Sequence, residues 1–141
     1  RTMVALPQLI KDLVELALDA DDVPLALLEQ LDDLCEASRH HTGVGLFVDV
    51  MSCSNREYHG MDGMWDAALI SCSELPSGAD AMVRIANGAV VQVEILSRSG
   101  DFPIDLPKSY RLQQHWNGAP GKWIEMKDGD RRKGVSKSSE Q

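Results

Sequence analysis

The chain has 141 residues, a formal net charge of −8 and a hydrophobic content of 43%. This length suits one domain that buries a core without disulfide or metal support, and no apolar run approaches the roughly 18 residues that a membrane helix needs. The negative charge disfavours nonspecific binding to nucleic acid and to anionic membranes. It makes a basic protein the natural complement.

The cysteines and the N-terminus indicate a compartment. Cys35, Cys53 and Cys72 are an odd number with wide spacing, which is poor material for a disulfide framework. Arg1-Thr2-Met3 is not followed by the pattern of a secretory signal. We therefore expect reduced thiols and a cytoplasmic protein.

The N-terminal third predicts two helices. Apolar residues recur at three- and four-residue steps after Pro7, which indicates an amphipathic helix from Pro7 to about Asp19. A second helix is expected from about Pro24 to Ser38, with one apolar side formed by Leu25, Leu28, Leu31 and Cys35. The short connection between them favours an antiparallel helical hairpin.

From Thr42 onward the pattern changes to strands. Strands are expected near residues 43–50, 66–73, 81–86, 89–96 and 110–114, with one more edge strand near 122–126. Asn87-Gly88 is a strong hairpin signal. Because no helices separate these strands, the predicted fold is α+β, with the N-terminal helical hairpin packed on an antiparallel β-meander of four to six strands.

The domain boundary is expected near the C-terminus. Residues 3–127 read as a single α+β domain. After Asp128 the only apolar residue of the larger kinds is Val135, so residues 128–141 are predicted to be a flexible polar tail.

Three motifs carry a resemblance. They are Thr42-Gly43-Val44-Gly45-Leu46-Phe47, then Asn87-Gly88 followed by Gln92-Val93-Glu94-Ile95, then Gly100-Asp101-Phe102-Pro103. In these the chain resembles a group of small uncharacterised bacterial proteins that have a TGxGxF strand, a glycine-turned hairpin and a GDFP segment. The resemblance covers about half the chain, supports the meander and implies no catalytic residue.

The acidity is concentrated at the N-terminal end, where nine acidic and two basic residues lie between Arg1 and Ser38. On the predicted second helix, four of the acidic residues fall on one face: Glu29, Asp32, Asp33 and Glu36. Like charges at this spacing repel each other, so the face is not a stabilising device. It is either a solvated face or a docking surface for a basic protein.

A second candidate surface is the loop 52–65. It places five bulky residues in polar sequence: Tyr58, His59, Met61, Met64 and Trp65. Residues of these types are favoured at protein interfaces, although some of them must cover the core. We include all five with the acidic residues as expected partner-binding residues.

No complete catalytic or metal-binding motif is visible. The Cys and His residues lack the paired knuckle spacing of structural zinc sites, so we expect no metal and no cofactor. Cys53, His59 and Glu94 are the only residues that we nominate for an enzyme, and each has an ordinary structural explanation.

The sequence therefore favours a non-enzymatic protein-binding module, such as a bacterial or phage inhibitor of the immunity-protein kind, which neutralises a partner protein. The alternative is a small enzyme or ligand-binding domain that uses the sheet face and the loop 52–65. A subunit that forms a homodimer through an edge strand is a third hypothesis.

Overall fold

The computed structural model describes residues 3–19, 23–114 and 121–136. These ranges form mostly antiparallel sheet with two α-helices, which fits the α+β class, and neither helix is long and apolar enough to cross a membrane. The helices are α1 Gln8–Leu18 and α2 Leu25–Glu29, and a 3-10 turn covers Leu31–Asp33. The described strands are β1 Val4–Ala5, β2 Leu34–His41, β3 Gly45–Ser52, β4 Gly63–Cys72, β5 Leu75–Ala86, β6 Ala89–Ser97, β7 Tyr110–Gln113, β8 Lys122–Lys127 and β9 Asp130–Val135.

The described strands form one sheet in the order β1-β2-β3-β6-β5-β4-β7-β8-β9. Every neighbouring pair is antiparallel. The hairpin of β5 and β6 turns at Asn87 and Gly88, which both have positive φ, as a type I′ turn requires. The predicted hairpin is confirmed, as are strands at the other predicted positions.

The predicted helical hairpin and strand count are wrong. After α2 ends at Glu29, residues 34–41 form β2, which pairs with β3 over seven residue pairs. The spacing of Leu31, Leu34 and Cys35 suits one face of a helix, and the pairing of residues 34–41 with β3 overrides this local signal. With β1 and β9, which were also not predicted, β2 brings the sheet to nine described strands instead of four to six.

The predicted flexible tail is also wrong in its described part. Asp130–Val135 is strand β9, which pairs with β8 over six residue pairs after a turn at Asp128 and Gly129. Its low hydrophobicity reflects its place at the edge of the sheet, where charged side chains discourage pairing with other chains. Residues 137–141 lie outside the described ranges.

Helix α1 fills the inner face of the sheet, which we define as the face it packs against. Its apolar side, including Leu9, Leu13 and Val14, is buried and packs on β4, β5, β6 and β8. The facing strand residues are small or branched, such as Ala81, Val83 and Ile95. This layer is the core of the molecule.

The sheet curls around α1. Arg39 of β2 and Met126 of β8 line the same cavity beside the start of α1, although five strands separate β2 from β8 in the sheet. Only a strongly bent sheet brings such distant strands together, and strand twist accumulates in this way. The inner face is therefore concave and the opposite, outer face convex.

A fully buried carboxylate, Asp12, ties α1 to the far strands. It accepts hydrogen bonds from the Tyr110 hydroxyl at 2.7 Å and from Nη2 and Nε of Arg131 at 2.9 and 3.1 Å, and another from the Gln8 amide. Burial, and then the bond to Asp12, raises the pKa of the Tyr110 hydroxyl far above its ordinary value. Tyr110 is therefore a permanent donor to this carboxylate.

One turn along α1, Glu15 extends this network. It accepts from Nη2 of Arg131 at 3.1 Å and from Nζ of Lys133 at 3.0 Å. Two cations of β9 thus contact two carboxylates of α1, which gives the edge strand a role in holding the helix.

We predict that Arg131→Ala lowers the free energy of unfolding by about 3 kcal/mol, because it leaves the Asp12 carboxylate buried without a cation. The matched control is Arg132→Ala. The side chain of Arg132 is 71% exposed and, among the residues that the structure describes, is paired only with Asp130 on its own strand, so its loss should cost no more than about 0.5 kcal/mol. Urea unfolding at neutral pH measures both, and equal losses would contradict the role of the network.

Candidate functional site

The four acidic residues predicted to share a helix face are dispersed. Glu29 is exposed at the end of α2, and Asp32, with its side chain 91% exposed, lies 3.2 Å from Nζ of Lys11. Asp33 ends the 3-10 turn. Glu36 lies on β2, beyond the end of any helix. The expected continuous acidic stripe does not form, because the helix that would carry it ends at Glu29.

Glu36 and Asp33 are engaged within the protein. Both carboxylate oxygens of Glu36 accept from Arg39, at 2.8 and 3.0 Å. Asp33 accepts from the hydroxyls of Ser52, Ser54 and Tyr58, the latter two at 2.7 and 2.8 Å, and from the backbone N–H of Ser54. These bonds, led by Ser52 and Ser54, lower the pKa of Asp33 to about 2. Asp33 therefore holds the first part of the loop 52–65 in place.

The same loop is held by a disulfide. Cys35 at the start of β2 is bonded to Cys53 just after β3, with their Cα atoms 5.3 Å apart. The backbone N–H of Cys53 also donates to the carbonyl of Asp33 at 2.6 Å. The expectation of reduced thiols is therefore wrong for these two residues, and sequence spacing did not reveal their pairing because it depends on the unexpected strand β2.

The bulky residues of the loop 52–65 divide among three environments. Tyr58 is bonded to Asp33, whereas His59 and Met61 are exposed and their backbones lie against the β5–β6 turn. There the N–H of Gly88 donates to the carbonyl of Met61 at 2.8 Å. A Cβ at Gly88 would lie 2.5 Å from the His59 carbonyl, so this contact requires glycine.

The last two residues of that set lie on opposite faces of β4. Met64 pairs with Arg84 on the outer face and is 45% exposed, whereas Trp65 pairs with the buried Val83 and packs on the core. The five residues thus do not form one surface. Met61 and Met64 are the exposed apolar members.

The outer face of the central strands is an acidic surface that our sequence prediction did not identify as a binding site. Met82 of β5 lies opposite Glu94 of β6 on one side and opposite Asp66 of β4 on the other, with Asp80 two residues before it. Together with Leu96, which is 52% exposed, these residues line a hollow of about 290 Å³. We call this set of residues the outer-face hollow: Asp66, Asp80, Met82, Glu94 and Leu96.

The charges of the outer-face hollow are only partly compensated. Asp80 forms a two-bonded ion pair with Arg98, at 2.8 and 2.9 Å. Asp66 and Glu94 have no ion pair among the residues that the structure describes. They flank Met82 at two strand spacings from each other, roughly 10 Å. This separation accommodates a cationic side chain between two carboxylates.

Asp49 of β3 extends the acidic surface but is fully engaged. It accepts from the Ser38 hydroxyl at 2.7 Å and from the Gln92 amide at 3.0 Å, and these bonds lower its pKa. Its carboxylate is therefore fixed in place and stays ionised.

The residues nominated for an enzyme do not assemble. Cys53 is oxidised in the disulfide, and His59 lies at the β5–β6 turn beside Gly88. Glu94 is six residues further along β6, or roughly 20 Å away. The remaining thiol, Cys72, is half-buried, and burial raises its pKa, which disfavours the nucleophilic thiolate. Within the described ranges, no three His, Cys, Asp or Glu residues are grouped as metal ligands.

Comparisons with protein families, with curated proteins and with solved structures gave no match for this chain.

We predict that Asp33 makes the thermal stability of the protein depend on pH in the acidic range. Because its pKa is lower in the folded protein than the ordinary 3.8, its contribution is present above that value and is lost as the pH falls toward about 2. Asp33→Asn should lower Tm near neutral pH and reduce the further loss of Tm between about pH 5 and about pH 2. Asp32→Asn, which removes the same charge one residue earlier, should leave the wild-type pH profile; identical profiles for all three proteins would contradict the prediction.

We predict one reactive thiol, Cys72, in the denatured unreduced protein and three after reduction. A Cys72→Ser variant should show none before reduction. Since the disulfide joins residues 18 positions apart, reduction should also lower the free energy of unfolding by about 3 kcal/mol, as expected for a loop of that size. Three thiols without reductant would show that the bond is absent in solution.

Proposed function

We propose that this protein is a non-enzymatic protein-binding module that presents the outer-face hollow to a basic region of its partner. The observation that carries the proposal is the placement of Asp66 and Glu94, without ion pairs in the described chain, on either side of Met82. The two carboxylates are on either side of Met82, and no cation is bonded to either of them in the described ranges, so together they attract a basic side chain. A lysine or arginine of a partner would lie between the two carboxylates while its stem covers Met82.

The composition around the hollow supports an interface with another protein. Leu96 and Met64 expose apolar surface on the same face as the carboxylates. Methionine is enriched at interface cores, and charges at a rim increase the association rate and select the partner. Helix α1 packs on the inner face and α2 packs against α1 and the 3-10 turn, so the outer-face hollow is left accessible.

The most concrete class is an inhibitor that neutralises a partner protein, as immunity proteins neutralise toxins. A toxin gene next to the gene for this protein would support it. The resemblance to small uncharacterised bacterial proteins remains a prediction.

A cytoplasmic location was expected from reduced thiols, whereas a Cys35–Cys53 disulfide is typical of oxidising compartments. We therefore favour an inhibitor that acts outside the cytoplasm.

The segment with Glu29 and Asp32 is the rival binding surface for the same function. Both residues are exposed, and within the described part of the chain the one ion pair of Asp32 is with Lys11. Its two carboxylates offer a control with the same change in net charge as the outer-face variant.

We predict that a hexa-arginine peptide, titrated into ¹⁵N-labelled protein at low salt, shifts amide signals of β4, β5 and β6 around Met82. Asp66→Asn/Glu94→Gln should weaken the affinity about five-fold or more at low ionic strength, since two carboxylates are neutralised, and the difference should shrink with added salt. Glu29→Gln/Asp32→Asn should change it much less.

The opposite ranking of the two double variants would move the binding surface to the segment with Glu29 and Asp32. The protein-binding function itself is tested by affinity capture from the source organism with wild type and both variants. A partner retained by wild type and by Glu29→Gln/Asp32→Asn, but lost with Asp66→Asn/Glu94→Gln, is the expected result.

A further inference from the structure

A second site lies on the concave side of the sheet, at the N-terminal end of α1. It is a cavity of about 790 Å³, far from the outer-face hollow because the sheet lies between them. Its apolar walls come from separate elements: Pro7 and Leu9 at the start of α1, Leu106 and Pro107 in the β6–β7 connection, and Met126 of β8. The volume is within the range of pockets that bind small organic molecules.

The location follows from the curled sheet. The strands bend around α1 as an open half-barrel, by which we mean the curled sheet with α1 on its concave face. The helix fills the middle of this concave face and leaves an opening, the mouth, beside Pro7. Mouths of barrels are recurrent ligand sites. The floor includes Tyr110, which is buried and whose hydroxyl is already bonded to Asp12, so this residue leaves no unsatisfied polar group in the floor.

Two cations stand among the lining residues. Arg39 is held by Glu36 through Nε and Nη2, and its Nη1 makes no hydrogen bond to a described residue. Lys108 is exposed and has no ion pair in the described ranges. The first turn of α1 contains no acidic residue and no side-chain cap, so its partial positive charge acts in the same direction.

One lining residue limits the charge of a ligand. Asp105 is exposed and lies three residues before Lys108. It repels any anion near the mouth, and a dianion more strongly than a monoanion, so a singly charged head group suits the site better than a phosphate.

We propose that this cavity binds a monocarboxylate with an apolar chain, such as a medium-chain fatty acid. The chain lies between Pro7, Leu106 and Met126, which are half-buried lining residues, and the carboxylate meets Lys108 and Nη1 of Arg39. This site is independent of the proposed protein-binding function, since it uses none of the residues of the outer-face hollow.

The test uses dodecanoate below its micelle concentration, with binding followed by calorimetry and by ¹⁵N amide shifts. We expect saturable binding of one dodecanoate, with shifts at residues 7–9, 105–108 and 126. Dodecanol, dodecyl phosphate and dodecyltrimethylammonium should each bind more weakly. Lys108→Gln should weaken dodecanoate about five-fold and leave dodecanol unchanged, whereas Arg84→Gln, which removes a cation from the outer face, should have no effect.

Leu106→Trp should block binding of dodecanoate and dodecanol alike by filling the cavity, provided that its amide spectrum shows a folded protein. Lys108 is exposed, so we expect Lys108→Gln to fold. This variant tests the proposal even if the tryptophan variant does not fold. Absence of saturation, shifts confined to the outer face, or equal binding of dodecanoate and dodecyltrimethylammonium would overturn the proposal. None of these outcomes affects the hexa-arginine experiment.

Discussion

The buried carboxylate of Asp12 is the constraint around which the fold is arranged. A charge without access to water needs compensating donors, and here they come from β7 and β9 on the far side of the sheet. β7 lies between β4 and β8, on which α1 packs, and β9 is the edge strand next to β8. The sheet bends around α1, so one face is concave and filled, and the other is convex and open. Both proposed sites follow from this division, because the open face holds the carboxylates and the mouth of the concave face holds the cavity.

Local signals predicted much of the fold. Helix α1 follows from its regular apolar spacing and the β5–β6 hairpin from Asn87-Gly88, because each depends on neighbours in the chain. Strand β2 was missed since its identity depends on pairing with β3 and on the disulfide, both of which lie beyond the segment itself. Strand β9 was missed for the same reason, because its charged residues bind carboxylates on α1, which is far away in the chain.

The candidate site shows the same limit. The sequence predicts strands near residues 81–86 and 89–96, and Glu94 was one of the residues nominated from it. What the sequence lacked was the strand order, which places β4 and β6 on either side of β5 and so brings Asp66 and Glu94 around Met82. The sequence favours the acidic residues around Asp33 because their charges are close together along the chain. In the fold, the carboxylates of Asp33 and Glu36 accept hydrogen bonds from other residues of the protein. Their closeness along the chain therefore does not make them available to a partner.

The contacts of Asp12 also bear on how the polypeptide is made. Its partners Tyr110 and Arg131 lie 98 and 119 residues later in the chain, so a ribosome must deliver almost the whole domain before they can meet. The apolar side of α1 has no sheet to cover it until β4, β5 and β6 have been made, and the Asp12 carboxylate lacks its cation until Arg131 follows. Structures dominated by such distant contacts fold slowly. Chaperone protection of the nascent N-terminal segment is therefore more valuable to this protein than to one in which neighbouring elements complete each other in order of synthesis.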